Sequence, residues 1–199
     1  KKMKPGYADP DTYISEKSLE AALYAAGAVI EAVNKCKDGE IERAFCAVRP
    51  PGHHAEANRA MGFCIFNNIA VGARYAQKIG YKKIFIIDSD VHHGNGTQHT
   101  FEEDDNVFYF STHQYPHYPG TGDESEKGKK GGDGFTYNIP MSSGSGDKQY
   151  SSAYNETLPP LVKKFAPDMV MVSAGYDIHA RDPLSGIKVS DEGIKSIVK

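Results

Sequence analysis

The chain has 199 residues, a formal net charge of −3 and 39% hydrophobic residues. This length fits one α/β domain, and the charge gives no reason to expect a nucleic-acid-binding surface. No apolar run approaches the roughly 18 residues of a membrane helix, and no signal peptide is visible. Three cysteines without a Cys-x-x-Cys spacing argue against a disulfide framework, so we expect a reducing, cytoplasmic location.

Hydrophobic spacing predicts two helices in the first part of the chain. Asp11–Asn34 has apolar residues at helical spacing, with Ser15 and Ser18 as capping residues near its start. Ile65–Ile79 returns to the same spacing. Between them, Arg43–Val48 is a short apolar run that predicts a strand, which ends before two prolines.

Four further apolar runs predict strands of a parallel sheet. The clearest is Lys83–Asp88, which is apolar on both faces as a central parallel strand should be. Asn106–Ser111, Phe135–Ile139 and Asp168–Ala174 are the other runs. Gly120–Gly134 is rich in glycine and charged residues and predicts an exposed loop. Strands that alternate with helices predict an α/β fold, with a mostly parallel sheet and helices on both faces.

Polar side chains follow the apolar runs at the points where the predicted strands end. In open parallel sheets, ligands bind beyond the carboxyl ends of the strands. We therefore expect one site, built from four strands at one edge of the sheet. The polar residues in these positions are His53, His54, Asp88, Asp90, His92, His93, Ser111, His113, Tyr176, Asp177 and His179.

The strongest motif is Asp88–Gly96, with the sequence D-S-D-V-H-H-G-N-G. In extended backbone, Asp88, Asp90 and His92 would share one face. Carboxylate and imidazole ligands suit zinc, and crowding such groups without a cation would be costly. Asp177 is the best candidate for a third ligand, which would leave zinc an open position for water or a carbonyl. The alternative is a capped strand-to-helix turn with surface histidines.

The second motif is R-P-P-G-H-H, at Arg49–His54. Adjacent imidazoles on a rigid turn can serve as general base and general acid near neutral pH. Each ring needs an acceptor for its other nitrogen, and Asp88 and Asn95 are candidates. A histidine pair alone is more often a surface feature, but the flanking prolines and glycine favour a functional interpretation.

Five motifs together resemble the histone deacetylase superfamily, which includes acetylpolyamine amidohydrolases and acetoin-utilisation proteins. They are R-P-P-G-H-H-A-E (Arg49–Glu56), G-F-C-I-F-N-N (Gly62–Asn68), D-S-D-V-H-H-G-N-G-T-Q (Asp88–Gln98), Y-P-G-T-G (Tyr118–Gly122) and S-A-G-Y-D (Ser173–Asp177). The first and third motifs look like the class II branch. The resemblance covers nearly the whole chain and implies the arginase–deacetylase fold, a three-layer α/β/α domain around a parallel sheet.

The resemblance implies a zinc-dependent deacetylase, with acetyl-lysine in proteins as the favoured substrate. Asp90, His92 and Asp177 would hold zinc, and His53 and His54 would be the tandem catalytic histidines. Metal-bound water and an imidazole base would then hydrolyse the amide.

The same resemblance implies supporting roles for three more polar residues. Asp88 would orient His53 and help to bind a structural potassium ion, with Ser111 nearby. Asn95 would support His54, at a position where class I members carry Asp.

The resemblance also implies a set of substrate-binding residues. Phe63 and Tyr118 would form the aromatic walls of a narrow acyl tunnel. Gly62 would line that tunnel through its backbone. Asp11 would match the aspartate at the rim that grips the substrate backbone.

One departure from the family concerns the oxyanion. The family has a Gly-Gly-Tyr segment whose Tyr (His in one subgroup) stabilises the tetrahedral oxyanion, and the 199 residues contain no such segment. Removing such a donor typically costs roughly 3 to 4 kcal/mol of barrier. The first strands of the family fold also lack a counterpart here. We therefore expect residues 1–199 to be one deacetylase domain without its N-terminal strands and its Gly-Gly-Tyr segment.

Other functions remain open. The substrate could be an acetylated polyamine or a small metabolite, and the chain could be a non-catalytic module that binds acetylated ligands. A ureohydrolase with two manganese ions needs a D-x-H-x-D pattern, whereas Gly94 stands two residues after His92. No G-x-G-x-x-G opens a helix after a strand, which argues against a nucleotide-binding domain. We expect no nucleic-acid or membrane partner, and the oligomeric state stays open.

Overall fold

A computed structural model describes residues 4–198 of the chain. Their contacts form two compact units. The first unit holds the described residues up to Tyr81 together with Asn95–Thr100, and the second holds Lys82–Gly94 and the described residues from Phe101 onward. The assignment of residues 1–199 to one domain stays a prediction.

The first unit contains a hairpin and three helices. The strands β1 (Gly6–Asp9) and β2 (Thr12–Ile14) pair antiparallel. The helix α1 (Ser18–Lys37) packs against α2 (Asn68–Lys78), and both bury several alanines. Six of the seven residues of α3 (Asn95–Phe101) also belong to this unit.

The predicted start of the first helix was wrong. The chain turns at Asp9, because its carboxylate accepts hydrogen bonds from the backbone amides of Asp11 (3.2 Å) and Thr12 (2.8 Å). Such a turn is typical of aspartate, and it leads into β2 rather than into a helix. The helix begins at Ser18, whose hydroxyl accepts from the amide of Ser15 at 2.8 Å. Asp11 therefore lies in a hairpin turn.

The predicted strand at Arg43–Val48 was also wrong, because the segment is irregular. A strand is stable only when a neighbour takes up its backbone hydrogen bonds, and no described strand pairs with it. Phe45, in its middle, is 76% exposed. The helix predicted at Ile65–Ile79 is confirmed but begins later, after Asn67, whose side chain caps it.

The second unit is built on a parallel sheet with the strand order β5–β4–β3–β6. Its strands are β3 (Ile84–Asp88), β4 (Val107–Gln114), β5 (Thr136–Met141) and β6 (Met169–Ser173). All four were predicted, with bounds that differ by up to three residues. The first three residues of β3 are fully buried, as its continuous apolar run predicts. The α/β fold class is therefore confirmed.

The helices of the second unit lie in the connection between β5 and β6 and in the segment after β6. A helical stretch follows β5: α4 (Asp147–Ser152), a π-helical turn (Ala153–Thr157) and α5 (Leu158–Phe165). After β6 comes α6 (Asp191–Ile197). Within residues 4–198, none of the helices combines the length and the apolar character needed to cross a bilayer.

An aromatic cluster ties the sheet to α5. Phe85 of β3 and Phe108 of β4 stack with their ring centroids 4.8 Å apart. Phe165 at the end of α5 meets both rings edge-on, at 6.0 Å and 5.6 Å. Such offset and edge-on pairs add to the stabilisation from burial alone. The core of this unit thus fixes the position of β3 relative to its neighbours.

The predicted loop at Gly120–Gly134 is exposed for much of its length but not throughout. Gly122 and Gly132 are buried, and Lys130–Gly132 forms one 3₁₀ turn. A Cβ at Gly132 would collide with the backbone of Glu102. The glycines in this loop therefore allow close packing as well as turning.

The order in which the strands are added to the sheet reverses at β3. After β3, the chain adds β4 and β5 on one side and then returns to add β6 on the other side. In parallel sheets, such a point leaves a crevice at the carboxyl ends of the two strands. Asp88 pairs with Ser173 at these ends. The loops after β3 and β6 therefore leave the sheet side by side.

Candidate metal centre and histidine pair

The loop after β3 bends instead of continuing the strand. The Asp88 carboxylate accepts from the amide of Asp90 at 3.3 Å, and the Asp90 carboxylate accepts from the amide of His92 at 2.9 Å. The extended alternation predicted here was therefore wrong. The two turns still bring Asp90 Oδ1 to 3.0 Å from His92 Nδ1.

Asp177 reaches the same point from the loop after β6. Its Oδ1 accepts from the amide of Val91 at 3.0 Å, and its Oδ2 lies 3.1 Å from His92 Nδ1. One possible ligand atom from each of Asp90, His92 and Asp177 lies within 4.8 Å of the others. Their side chains are 22%, 17% and 18% exposed, respectively. The structure thus brings together the three residues predicted to hold zinc.

The donor set fits a zinc ion. Atoms that bind zinc at about 2.0 Å in a tetrahedron are roughly 3.3 Å apart. His92 Nδ1 lies 3.0 Å from Asp90 Oδ1 and 3.1 Å from Asp177 Oδ2, which is close to that spacing. Two carboxylates and one imidazole also leave a fourth position for water or substrate.

The electrostatics of the cluster favour a cation. Burial alone would lower the pKa of His92, but hydrogen bonds and charges from Asp177 and Asp90 outweigh it and raise this pKa to about 9. The pKa of Asp177 is raised, mainly by burial and also by the charge of Asp90, against the hydrogen bond from His92. A divalent cation that displaces the proton of His92 would compensate both carboxylates.

Gly175 is needed where the two loops meet, and no role was assigned to it from the sequence. A Cβ at this position would overlap the backbone and the carboxylate of Asp90. Only glycine lets the loop after β6 lie close enough for Asp177 to reach His92. The signal for this residue was its place in the S-A-G-Y-D motif.

Two aromatic rings lie beside His92. His117 stacks on it with ring centroids 5.2 Å apart, and Tyr118 meets it edge-on at 6.1 Å. His117 Nε2 donates to the carbonyl of Leu184 at 3.1 Å. The structure thus places Tyr118, the predicted tunnel residue, next to the candidate metal ligand His92. His117 was not singled out from the sequence.

The residues predicted to bind potassium lie opposite each other in the β3–β4 pair. Asp88 and Ser111 are both fully buried. The Tyr109 hydroxyl lies 3.2 Å from Asp88 Oδ2, and Ser111 Oγ lies 2.9 Å from His113 Nδ1. Burial, and then the charge of Asp88, raise the pKa of Tyr109 well above its usual range, so its hydroxyl keeps the proton that it donates. Potassium binding stays a prediction, as does the orienting of His53 by Asp88.

The histidine pair is buried in the first unit. The rings of His53 and His54 lie with centroids 4.0 Å apart and planes inclined by 45°. The amide of Thr97, in α3, donates to the carbonyl of His53 at 3.1 Å and anchors the turn. A Cβ at Gly62 would overlap the ring of His54. The predicted tunnel glycine therefore also makes room for the imidazole.

Asn95 contacts His54 at the start of α3. His54 Nδ1 lies 2.8 Å from Asn95 Oδ1. Asn95 Nδ2 lies 2.5 Å from Glu56 Oε1 and 3.3 Å from the carbonyl of His54. The same Glu56 oxygen lies 2.9 Å from His99 Nδ1. Neither Glu56 nor His99 was given a role from the sequence, since their positions along the chain do not show that they meet.

Asp11 and Phe63, both predicted to bind substrate, border one cavity of about 360 Å³ in the first unit. Phe63 has a φ of 65°, which is unusual for a bulky side chain. Its amide donates to Thr12 Oγ1 at 3.0 Å, and this bond helps to hold the conformation. Its ring is exposed beside the cavity. The tunnel that Phe63 and Tyr118 were predicted to form stays a prediction.

The fold and the site define the class of this protein. The family profile of the histone deacetylase domain matches residues 1–199. The chain therefore belongs to the histone deacetylase domain family, and the resemblance seen in its motifs is confirmed.

Individual relatives show how far the similarity extends. Histone deacetylase 14, chloroplastic, of Arabidopsis thaliana is 45% identical over 196 residues, which cover 94% of this chain and 46% of that protein. A probable deacetylase of Archaeoglobus fulgidus is 41% identical over 196 residues, or 98% of this chain and 55% of that protein. The crystal structure of the HDA15 HD domain matches with a TM-score of 0.94 and 44% identity, over 96% of this chain and 57% of that chain. The chain thus spans about half the length of these relatives.

Proposed function

We propose that this chain carries the metal centre of a zinc-dependent deacetylase that hydrolyses N-acetyl amides, with acetyl-lysine in proteins as the favoured substrate. One observation carries the proposal: possible ligand atoms of Asp90, His92 and Asp177 lie within 4.8 Å of one another, in a chain of the histone deacetylase domain family. The potassium ion that we propose at Asp88 and Ser111 would be structural.

The histidine pair supplies the proton transfers in this proposal. Zinc, when bound, polarises a carbonyl and acidifies a water. His54 Nδ1 faces Asn95 Oδ1 at 2.8 Å, and an amide oxygen accepts only, so Nδ1 carries a proton. Nε2 is then the nitrogen that exchanges protons. It takes one from water when the ring is neutral and gives one to the departing amine when the ring is protonated.

His53 shares this task because its ring lies against that of His54. The centroids are 4.0 Å apart and both rings are buried. Two positive charges at this distance would repel strongly, so the pair holds one extra proton more readily than two. A pair with one neutral ring and one charged ring suits a reaction that needs a base and then an acid.

The direct test is a metal and substrate assay on the complete protein. We expect one zinc per chain by elemental analysis, and faster hydrolysis of an acetyl-lysine peptide than of acetylputrescine. Faster hydrolysis of acetylputrescine would support an acetylpolyamine amidohydrolase instead. Zinc binding without hydrolysis of either compound would support a module that binds acetylated ligands, and two divalent metal ions per chain would contradict a centre with one catalytic metal.

The variant Asp177→Asn tests the ligand set. It keeps the size of the side chain but removes an anionic ligand, so zinc content should fall well below one per chain. Asp133→Asn, which removes a carboxylate from an exposed loop residue, is the matched control and should keep its zinc. Equal zinc content in the two variants would exclude Asp177 as a ligand.

The variant His54→Ala tests the proton-transfer role. Loss of a general acid–base group should lower kcat by about 100-fold or more, while zinc content stays at the wild-type level. The two measurements are made on the same preparation, so the metal content serves as an internal control. Deacetylation at the wild-type rate would contradict the role of His54.

A further inference from the structure

We propose that Glu56 is a positioning residue for the histidine pair. It fixes the orientation of the Asn95 amide and thereby determines which ring nitrogen of His54 carries the proton. The inference rests on the proposed proton-transfer role of His54. Glu56 comes two residues after His54, and its carboxylate is mostly buried, with 16% of the side chain exposed.

The Asn95 amide could face His54 in two ways, because its oxygen and nitrogen have nearly the same size and shape. Its Nδ2 lies 2.5 Å from Glu56 Oε1 and 3.3 Å from the carbonyl of His54. Both of these groups only accept hydrogen bonds, and the amide has two N–H groups to give. The oxygen of Asn95 must then face His54 Nδ1, at 2.8 Å, and this nitrogen must carry the proton.

Without the Glu56 carboxylate, only two weaker contacts of Asn95 Nδ2 would be left to select this orientation: the carbonyl of His54 at 3.3 Å and Met61 Sδ, a weak acceptor, at 3.5 Å. A flipped amide would present its NH₂ group to His54 Nδ1. That nitrogen would have to accept, and the proton would move to Nε2. The ring could then no longer take a proton through Nε2. The geometry therefore makes the reactive tautomer of His54 depend on Glu56.

Glu56 acts through hydrogen bonding rather than by passing a proton. The amide of Asn95 neither gains nor loses a proton near neutral pH, so it transmits orientation only. His99 holds the Glu56 carboxylate in place from α3, since its Nδ1 lies 2.9 Å from the same oxygen, Oε1. Arg59 also lies nearby, and its carbonyl accepts from the amide of Glu56 at 2.9 Å. Its guanidinium contacts Met61 Sδ at 3.0 Å.

The experiment compares Glu56→Gln with Glu56→Met in the complete, zinc-loaded protein. Gln keeps an oxygen that can accept from both Asn95 and His99, whereas Met keeps the volume and removes the acceptor. Nitrogen-15 NMR of the histidine rings reports the tautomer, and the spectrum of His54→Ala assigns the His54 signals. Glu42→Met, which removes an exposed carboxylate, is the control for the loss of charge.

We expect the Nδ1–H tautomer in the wild type, in Glu56→Gln and in Glu42→Met. Glu56→Met should shift His54 towards the Nε2–H tautomer and lower kcat by about 10-fold to 100-fold, by analogy with the loss of groups that orient metal-ligating imidazoles. KM should stay the same. Thermal midpoints show whether each variant is folded.

A second variant keeps the test decisive if Glu56→Met lowers stability. In Asn95→Asp/Glu56→Met, either carboxylate oxygen can accept from His54, so the side chain needs no partner to select its orientation. The Nδ1–H tautomer should therefore return.

Three results would overturn the proposal: an unchanged tautomer in Glu56→Met, equal losses in the Gln and Met variants, or no recovery in the double variant. The NMR measurement does not need turnover. If the complete protein hydrolysed no acetyl amide, the proposed function would be wrong. The tautomer of His54 measured by NMR would still decide whether Glu56 is a positioning residue.

Discussion

The cluster of candidate metal ligands depends on residues that are not themselves candidate ligands. Asp90 and His92 are brought together by turns in one loop, and Asp177 approaches from another. Gly175 permits this approach, because any side chain there would overlap Asp90. Gly175, which has no side chain that could bind a metal, thus determines whether the candidate ligands can come together.

Gly175→Ala should weaken zinc binding. The added methyl must push the loop after β6 away from Asp90, and groups that support metal ligands commonly change affinity by about 10-fold to 100-fold. Competition with a chelator of known affinity measures the effect.

Gly27→Ala is the matched control for that substitution. Gly27 is exposed in α1 and a Cβ there meets nothing within 4 Å. Alanine should leave zinc affinity unchanged and stabilise the helix by about 0.5–1 kcal/mol. If Gly175→Ala bound zinc as tightly as Gly27→Ala, the close approach of the loops would not matter for the metal.

Among the elements, α6 shows how one side chain can cap a helix and join it to another. The Ser190 hydroxyl accepts from the amide of Gly193 at 3.1 Å, and it donates to Asp147 Oδ2 at 2.6 Å. Asp147 is the first residue of α4, and its Oδ1 accepts from the amide of Ser190 at 2.7 Å. These bonds lower the pKa of Asp147 below its ordinary 3.8, with the Ser190 side chain as the largest cause.

Ser190→Ala should lower the free energy of unfolding by about 1 kcal/mol, the usual cost of losing a serine cap. A carboxyl group with a lowered pKa stabilises the folded state above its ordinary pKa, and this contribution is lost as the pH falls through the lowered value. The difference between wild type and variant should therefore be full at pH 7 and shrink below about pH 3.8. Urea titrations at several pH values measure it.

Ser190→Thr keeps a hydroxyl and should restore most of the stability. A pH-independent difference between Ser190→Ala and the wild type would show that the bond to Asp147 contributes nothing.

Strands were predictable where burial and pairing agreed. Lys83–Asp88 was predicted as a central strand because its apolar residues are continuous, and β3 lies between β4 and β6. Arg43–Val48 has a similar apolar character but no described strand pairs with it. A hydrophobic pattern indicates that a segment tends to be buried. A strand also needs a neighbouring strand that pairs with its backbone N–H and C=O groups.

For the whole molecule, the order of the strands decides where chemistry can take place. β6 returns beside β3 after the chain has added β4 and β5 on the other side. The loops that carry Asp90, His92 and Asp177 therefore leave neighbouring strand ends, where parallel sheets form their crevices. This arrangement explains how His92 and Asp177, which are 85 positions apart in the sequence, come to lie 3.1 Å apart.

The sequence by itself determined the residue types of the site and the α/β class, and its five motifs determined the family. These properties depend on local sequence patterns. Only the tertiary structure decided which of the candidate site residues contact one another. The cluster of Asp177 with His92 required β6 to lie beside β3, and the contact of Glu56 with Asn95 required α3 to return to the histidine turn. Contacts between distant parts of a chain depend on packing, and no local pattern encodes them.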